Sequence, residues 1–204
     1  MAVRCCRVSD ILTFDPIEMF GAETIVENYS IRIILQEGSL VDRRIITAAK
    51  ITQFLARGPA IGSVLLTWAL TYLVGIIIWA ILFLFDLSSD TLVGSSPDLM
   101  KRDLATRLFV GSVVAPLVET FVFQWLPIRL ICRVFKTSAS LAVCVSTLMF
   151  GATHGYSVLY VAIALWGGFI FATVFVLRDH SGGHPFLIVA GAHAARNTLA
   201  SILI

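Results

Sequence analysis

Residues Ile61 to Phe85 form a run of 25 without a charged side chain. Hydrocarbon offers no water to backbone N–H and C=O groups, so such a run must close its hydrogen bonds internally, as a helix. It is long enough to cross a hydrocarbon core of about 30 Å. Four more apolar stretches follow, at about Leu108 to Pro127, Ser138 to His154, Val158 to Leu177 and Pro185 to Ile204. Composition agrees: the chain is 58% hydrophobic and 14% charged, where soluble domains are about half apolar and about a quarter charged. The expected fold is all-α, a polytopic transmembrane bundle of about five spans surrounded by membrane lipid. A formal net charge of +2 gives no reason to expect a nucleic-acid partner.

Residues 1–58 are polar and mixed, and 59–204 carry the spans, so the chain divides there. Ile31 to Leu35 alternates like a strand. Residues 42–58, DRRIITAAKITQFLARG, read as a short basic amphipathic helix on the membrane surface, ending at Gly58 and Pro59. The first 20 residues lack the apolar run of a cleaved signal peptide. A second short amphipathic helix is expected at Asp98 to Arg107. Arg43, Arg44, Lys50 and Arg57 precede the first span, Arg129, Arg133 and Lys136 follow the second, and Arg178 follows the fourth. Basic residues favour the cytosolic side, which puts the N-terminus in the cytosol. Cys5, Cys6, Cys132 and Cys144 lack paired zinc spacing and read as reduced thiols.

Against this apolar background stand Glu119 in PLVETFVFQ, His154 in FGATH, and His193, Arg196 and Asn197 in HAARN. Ionisable groups inside a membrane are costly and mark functional sites by default. His193 and Asn197 are four apart and share a helix face, as do Phe150 and His154. Pro116 frees a carbonyl and is expected to kink the second span beside Glu119. Each group also has a plainer reading. Glu119 can pair structurally with Arg196, His154 can be interfacial, and His193 with Asn197 can join helices by hydrogen bonds.

Together they supply what hydrolysis needs. A carboxylate can take a proton from water, an imidazole can orient that water, and a second imidazole with a carboxamide can donate to an oxyanion. Glu119, His154 and His193 can equally be read as ligands of a zinc ion that activates the water. The sequence leaves both readings open. A transporter would be expected to show repeated halves with broken helices, and no internal repeat is present.

Glu119 in its span, Phe150-to-His154 as FxxxH and His193-to-Asn197 as HxxxN resemble the CAAX protease and bacteriocin-processing family, also called CPBP or ABI. The resemblance covers roughly residues 108–204. It implies an intramembrane endopeptidase acting on a membrane-associated, in some members prenylated, peptide or protein. By resemblance Glu119 activates water, His154 is its partner, and His193 and Asn197 line the oxyanion site. Thr120, Gln124, Phe150 and Arg196 are expected near the substrate. The family's fullest pattern has two adjacent glutamates and an arginine four residues after the second; here those positions read Glu119, Thr120 and Gln124. Replacing both members of an ion pair leaves no orphan charge. It also leaves a non-catalytic scaffold or immunity protein of the same fold as the alternative.

Overall fold

The structure is a computed structural model that describes residues 40–85, 101–155 and 157–203. The strand-like segment at Ile31 to Leu35 lies outside the described residues, within which all regular structure is helical. The described residues form six helices: α1 (Leu40–Arg57), α2 (Ala60–Leu84), α3 (Leu104–Val134), α4 (Ala139–Ala152), α5 (Val158–Leu177) and α6 (Pro185–Leu203). Helices α2, α3, α5 and α6 are long and apolar enough to cross a membrane, whereas α4 has 14 residues. At about 1.5 Å per residue α4 reaches only about 21 Å. The chain is an integral membrane protein, with four helices of spanning length and one apolar helix that stops short among the described residues.

Burial in α2 runs opposite to that of a soluble helix. Its buried residues are Ser63, Thr67 and Thr71, one turn apart, while Ile61, Leu65, Ile76, Trp79 and Phe83 point outward. Small side chains let helices approach closely where lipid removes any hydrophobic drive for pairing. The hydroxyls bond their own helix: Thr67 Oγ1 donates to Ser63 O at 2.6 Å and Thr71 Oγ1 to Trp68 O at 2.7 Å. Helix α5 is central and packs on all the others. Gly168 of α5 admits Phe150 of α4, since a Cβ there would lie 3.1 Å from the Phe150 Cβ.

The second apolar stretch is longer than its sequence suggests, because Pro127 does not end it. Helix α3 alternates tight and wide turns. Arg107–Val114, Thr120–Trp125 and Leu130–Val134 are π-helical, separated by the α-helical turns Ala115–Glu119 and Leu126–Arg129. Pro116 and Pro127 each stand second in the α-helical turn that follows a wide segment. A proline ring clashes with the carbonyl four residues back in a regular α-helix, and the wider turn makes room for it. The helix expected at Asp98 to Arg107 is corrected as well. Lys101 to Asp103 are not helical, and the helix begins at Leu104 as the first turn of α3. Asp103 caps it, accepting from Thr106 N at 3.0 Å and from the Thr106 hydroxyl at 2.6 Å. These bonds hold the Asp103 carboxyl below its ordinary range.

A polar clamp joins α1 to the bundle. Arg178, buried at the end of α5, donates to Leu55 O and Gly58 O at the end of α1 and to the Ser63 hydroxyl of α2. The next residue, Asp179, receives both arms of Arg129 from α3, at 2.6 and 2.8 Å. The guanidinium of Arg178 thus meets the carbonyls that the last turn of α1 leaves open. Arg178→Met is expected to lower stability in detergent by about 2 kcal/mol, the scale of a charged hydrogen bond, and to expose Lys50 and Arg57 to trypsin. Unchanged protection of α1 would show that apolar contact alone docks it.

Candidate active site

Three helices deliver one ionisable group each to a common point. Glu119 ends the α-helical turn Ala115–Glu119 of α3, His154 lies just past α4, and His193 is on α6. The Glu119 Oε2 is 3.7 Å from His154 Nε2 and 3.6 Å from His193 Nε2. Sequence position alone puts His154 at the outer end of a span and Glu119 near mid-membrane. The shortness of α4 removes that mismatch, because the chain turns within the bundle at Thr153.

The orientation of His154 follows from its other nitrogen. Its Nδ1 lies 2.7 Å from Phe150 O. A carbonyl only accepts, so Nδ1 carries the proton, and in the neutral ring Nε2 faces Glu119 with a free lone pair. The Thr153 hydroxyl also donates to Phe150 O, at 2.9 Å. His193 is fixed by packing. Its side chain is 2% exposed, against 24% for Glu119 and 15% for His154, so access to the cluster is from the Glu119 and His154 side.

Phe150 holds both imidazoles apart. It is fully buried, with its ring centroid 4.4 Å from His154 and 5.6 Å from His193, and with Phe123 and Phe171 edge-on behind it. Phe171 tilts against His193 at 4.9 Å, and Tyr160 lies 5.7 Å from His154 on the other side. Phe150, Thr120 and Gln124, expected near substrate, have no exposed surface. Phe150 backs the imidazoles, while Thr120 and Gln124 sit one turn apart on the inner face of α3. Their hydroxyl and carboxamide have no hydrogen-bond partner among the described residues.

Arg196 and Asn197 part company. Asn197 Nδ2 donates to Gly111 O of α3 at 2.8 Å. Arg196 lies over the Tyr72 ring of α2, 5.9 Å from its centroid, and Tyr72 in turn donates to Arg196 O at 3.1 Å. The Arg196 Nη1 lies beside Gly167 of α5. No ion pair joins Arg196 to Glu119 among the described residues, which corrects the structural-pair reading. Sequence reasoning missed Tyr72, Tyr160, Phe171 and Ser146. Only Ser146 had a usable signal, since each proline inside a helix demands a donor elsewhere.

One carboxylate and two imidazoles within an all-helical membrane bundle define a polytopic membrane protein with a buried polar centre. Residues 101–199 match the family described as type II CAAX prenyl endopeptidase Rce1-like. Over that segment, which holds Glu119, His154, His193, Arg196 and Asn197, the chain is similar to this CAAX protease family. No curated protein and no solved structure matches the chain. Phe150→Ala is expected to lower unfolding free energy in detergent by about 3–5 kcal/mol, the range for emptying a buried aromatic site. A loss below about 1 kcal/mol would show that the ring does not anchor the imidazoles.

Proposed function

We propose that the protein is an intramembrane endopeptidase that hydrolyses a peptide bond of a membrane-associated substrate. The observation that carries this reading is the near-equal distance of Glu119 Oε2 from two imidazole nitrogens, 3.6 and 3.7 Å. These gaps exceed direct hydrogen bonds and suit a small oxygen held between the groups. In this reading Glu119 takes a proton from water, which His154 Nε2 orients, and the hydroxide adds to the substrate carbonyl carbon. The oxyanion receives hydrogen bonds from the His193 side and the field of Arg196. As the tetrahedral intermediate collapses, the C–N bond breaks and Glu119 returns the proton to the leaving amine. Asn197 Nδ2 has a second N–H beyond the one donated to Gly111 O, and it can serve the same oxyanion.

The donors Glu119, His154 and His193 are of the kinds that zinc accepts. Among the described residues, however, no group of three such side chains is arranged to hold an ion. The steps above therefore use the protein's own groups. We also place the N-terminus in the cytosol. Arg129 and Arg178 meet at one end of the bundle with the end of α1, and a basic end faces the cytosol.

The test is cleavage of a farnesylated peptide with a free C-terminus, beside its unprenylated form, by purified full-length protein in detergent. Wild type is expected to cut, and Glu119→Gln to be slower by about a hundredfold or more. A chelator is expected to change the wild-type rate by less than about twofold, since no step here needs a metal. Loss with chelator would establish zinc instead. Equal product from Glu119→Gln would remove Glu119 from the chemistry. No product from folded wild type would favour a non-catalytic membrane partner, in line with Thr120 and Gln124.

A further inference from the structure

A proline inside a helix leaves carbonyls without donors, and α3 contains two. Ala115 N–H reaches five residues back, to Val110 O. The next acceptor in that register is Gly111 O, and the next residue, Pro116, has no N–H. Asn197 Nδ2 of α6 supplies the missing donor at 2.8 Å. A related shortage follows at Pro127, where the pinned carbonyl is the one four residues back, the acceptor in α-helical register. Leu126 N–H reaches five back, to Phe121 O, and Pro127 follows. Phe123 O, four residues before Pro127, accepts instead from the hydroxyl of Ser146, a fully buried residue of α4.

The two pins bracket Glu119, which lies between Gly111 and Phe123 along α3. Each comes from a helix that also delivers an imidazole. Ser146 is two turns before His154, and Asn197 is one turn after His193. Returning a wide turn to α-helical register changes the count by one residue and rotates what lies on one side of it by about 100° relative to the other. That rotation would carry Glu119 away from both imidazoles.

We propose that Ser146 and Asn197 are positioning residues, which replace the N–H groups missing at Pro127 and Pro116 and so hold α3 in the register that aims Glu119 between His154 and His193. The proposal rests on Glu119 being the water-activating group. Ser146 is the cleaner test, because its hydroxyl meets the main chain of α3 while Asn197 is also assigned to the oxyanion in the proposed reaction. Ser146→Thr keeps the donor, and Ser146→Ala removes it. Pro127→Ala restores a main-chain N–H that can serve Phe123 O.

The experiment uses full-length protein in detergent with two readouts. One is kcat and KM on the farnesylated peptide. The other is the rate at which a hydrophobic carbodiimide modifies Glu119, read by mass spectrometry of the peptide that carries it. Ser146→Ala is expected to lower kcat by about tenfold with KM within about twofold, and to raise Glu119 modification about threefold, the scale of one lost hydrogen bond. Ser146→Thr should match wild type on both. In the Pro127→Ala background, adding Ser146→Ala should change modification by less than about twofold. Unchanged modification in Ser146→Ala, or failure of Thr to restore it, would overturn the proposal. Should Ser146→Ala not fold, Ser146→Cys, which removes the strong donor at similar size, takes its place. If wild type cuts nothing while modification follows the expected pattern, the hydrolase reading falls and the positioning role stands.

Discussion

In hydrocarbon every main-chain N–H and C=O must find a partner inside the protein. The helix that carries Glu119 has prolines at 116 and 127 and so cannot satisfy this by itself. Much of the structure around the site answers that shortage. Wide turns precede each proline, Asn197 and Ser146 cross from neighbouring helices to meet freed carbonyls, and the carboxylate sits on the tight turn between. The polar cluster and the backbone repair are therefore built from the same three helices, and the repair fixes the rotation at which the carboxylate is presented.

The remainder of the bundle places small and hydroxylated residues inward and large apolar ones outward. Ser63, Thr67 and Thr71 line the inner face of α2, Gly168 opens α5 to Phe150, and Trp79, Phe83 and Phe109 face out. Two clusters of charged and ionisable groups lie at different levels of the bundle. At one end Arg178, Asp179 and Arg129 tie α1, α2, α3 and α5 together. Deeper along the bundle, Glu119, His154 and His193 meet around the Phe150 ring. The first level is fully paired and structural, whereas at the second a carboxylate stays partly open with two imidazoles at bridging distance.

The all-α membrane bundle was legible because uncharged runs leave the backbone no other choice. The limits of the fourth apolar stretch, Val158 and Leu177, agree with α5 to the residue. Charged and turn-forming residues flank it and no proline interrupts it. The limits of α3 were not legible: Pro127 reads as a terminator, and only the π-helical turn before it lets the helix run on to Val134. Asp98 to Arg107 misled for a related reason. Its charges suggested a separate surface helix, but Asp103 is the cap of α3. The site residues stood out because each is ionisable in an apolar run. Their meeting could not be read, since it depends on α4 stopping at Ala152 and on the rotation of a helix with mixed register. The packing of Arg196 on Tyr72 rather than on Glu119 was equally hidden, because it depends on how α2 and α6 pair in space.

The convergence of Glu119, His154 and His193 is the central claim, and it can be measured without any substrate. In a background with the native cysteines replaced, the pairs Glu119→Cys with His154→Cys and Glu119→Cys with His193→Cys would be treated in membranes with a short bifunctional thiol reagent. Arg129→Cys with Asp179→Cys serves as the control, since those residues are in direct contact. Cross-linking of both test pairs at the rate of the control is the result this account predicts. Cross-linking of the control with neither test pair, or with only one, would contradict it and separate the carboxylate from the imidazoles.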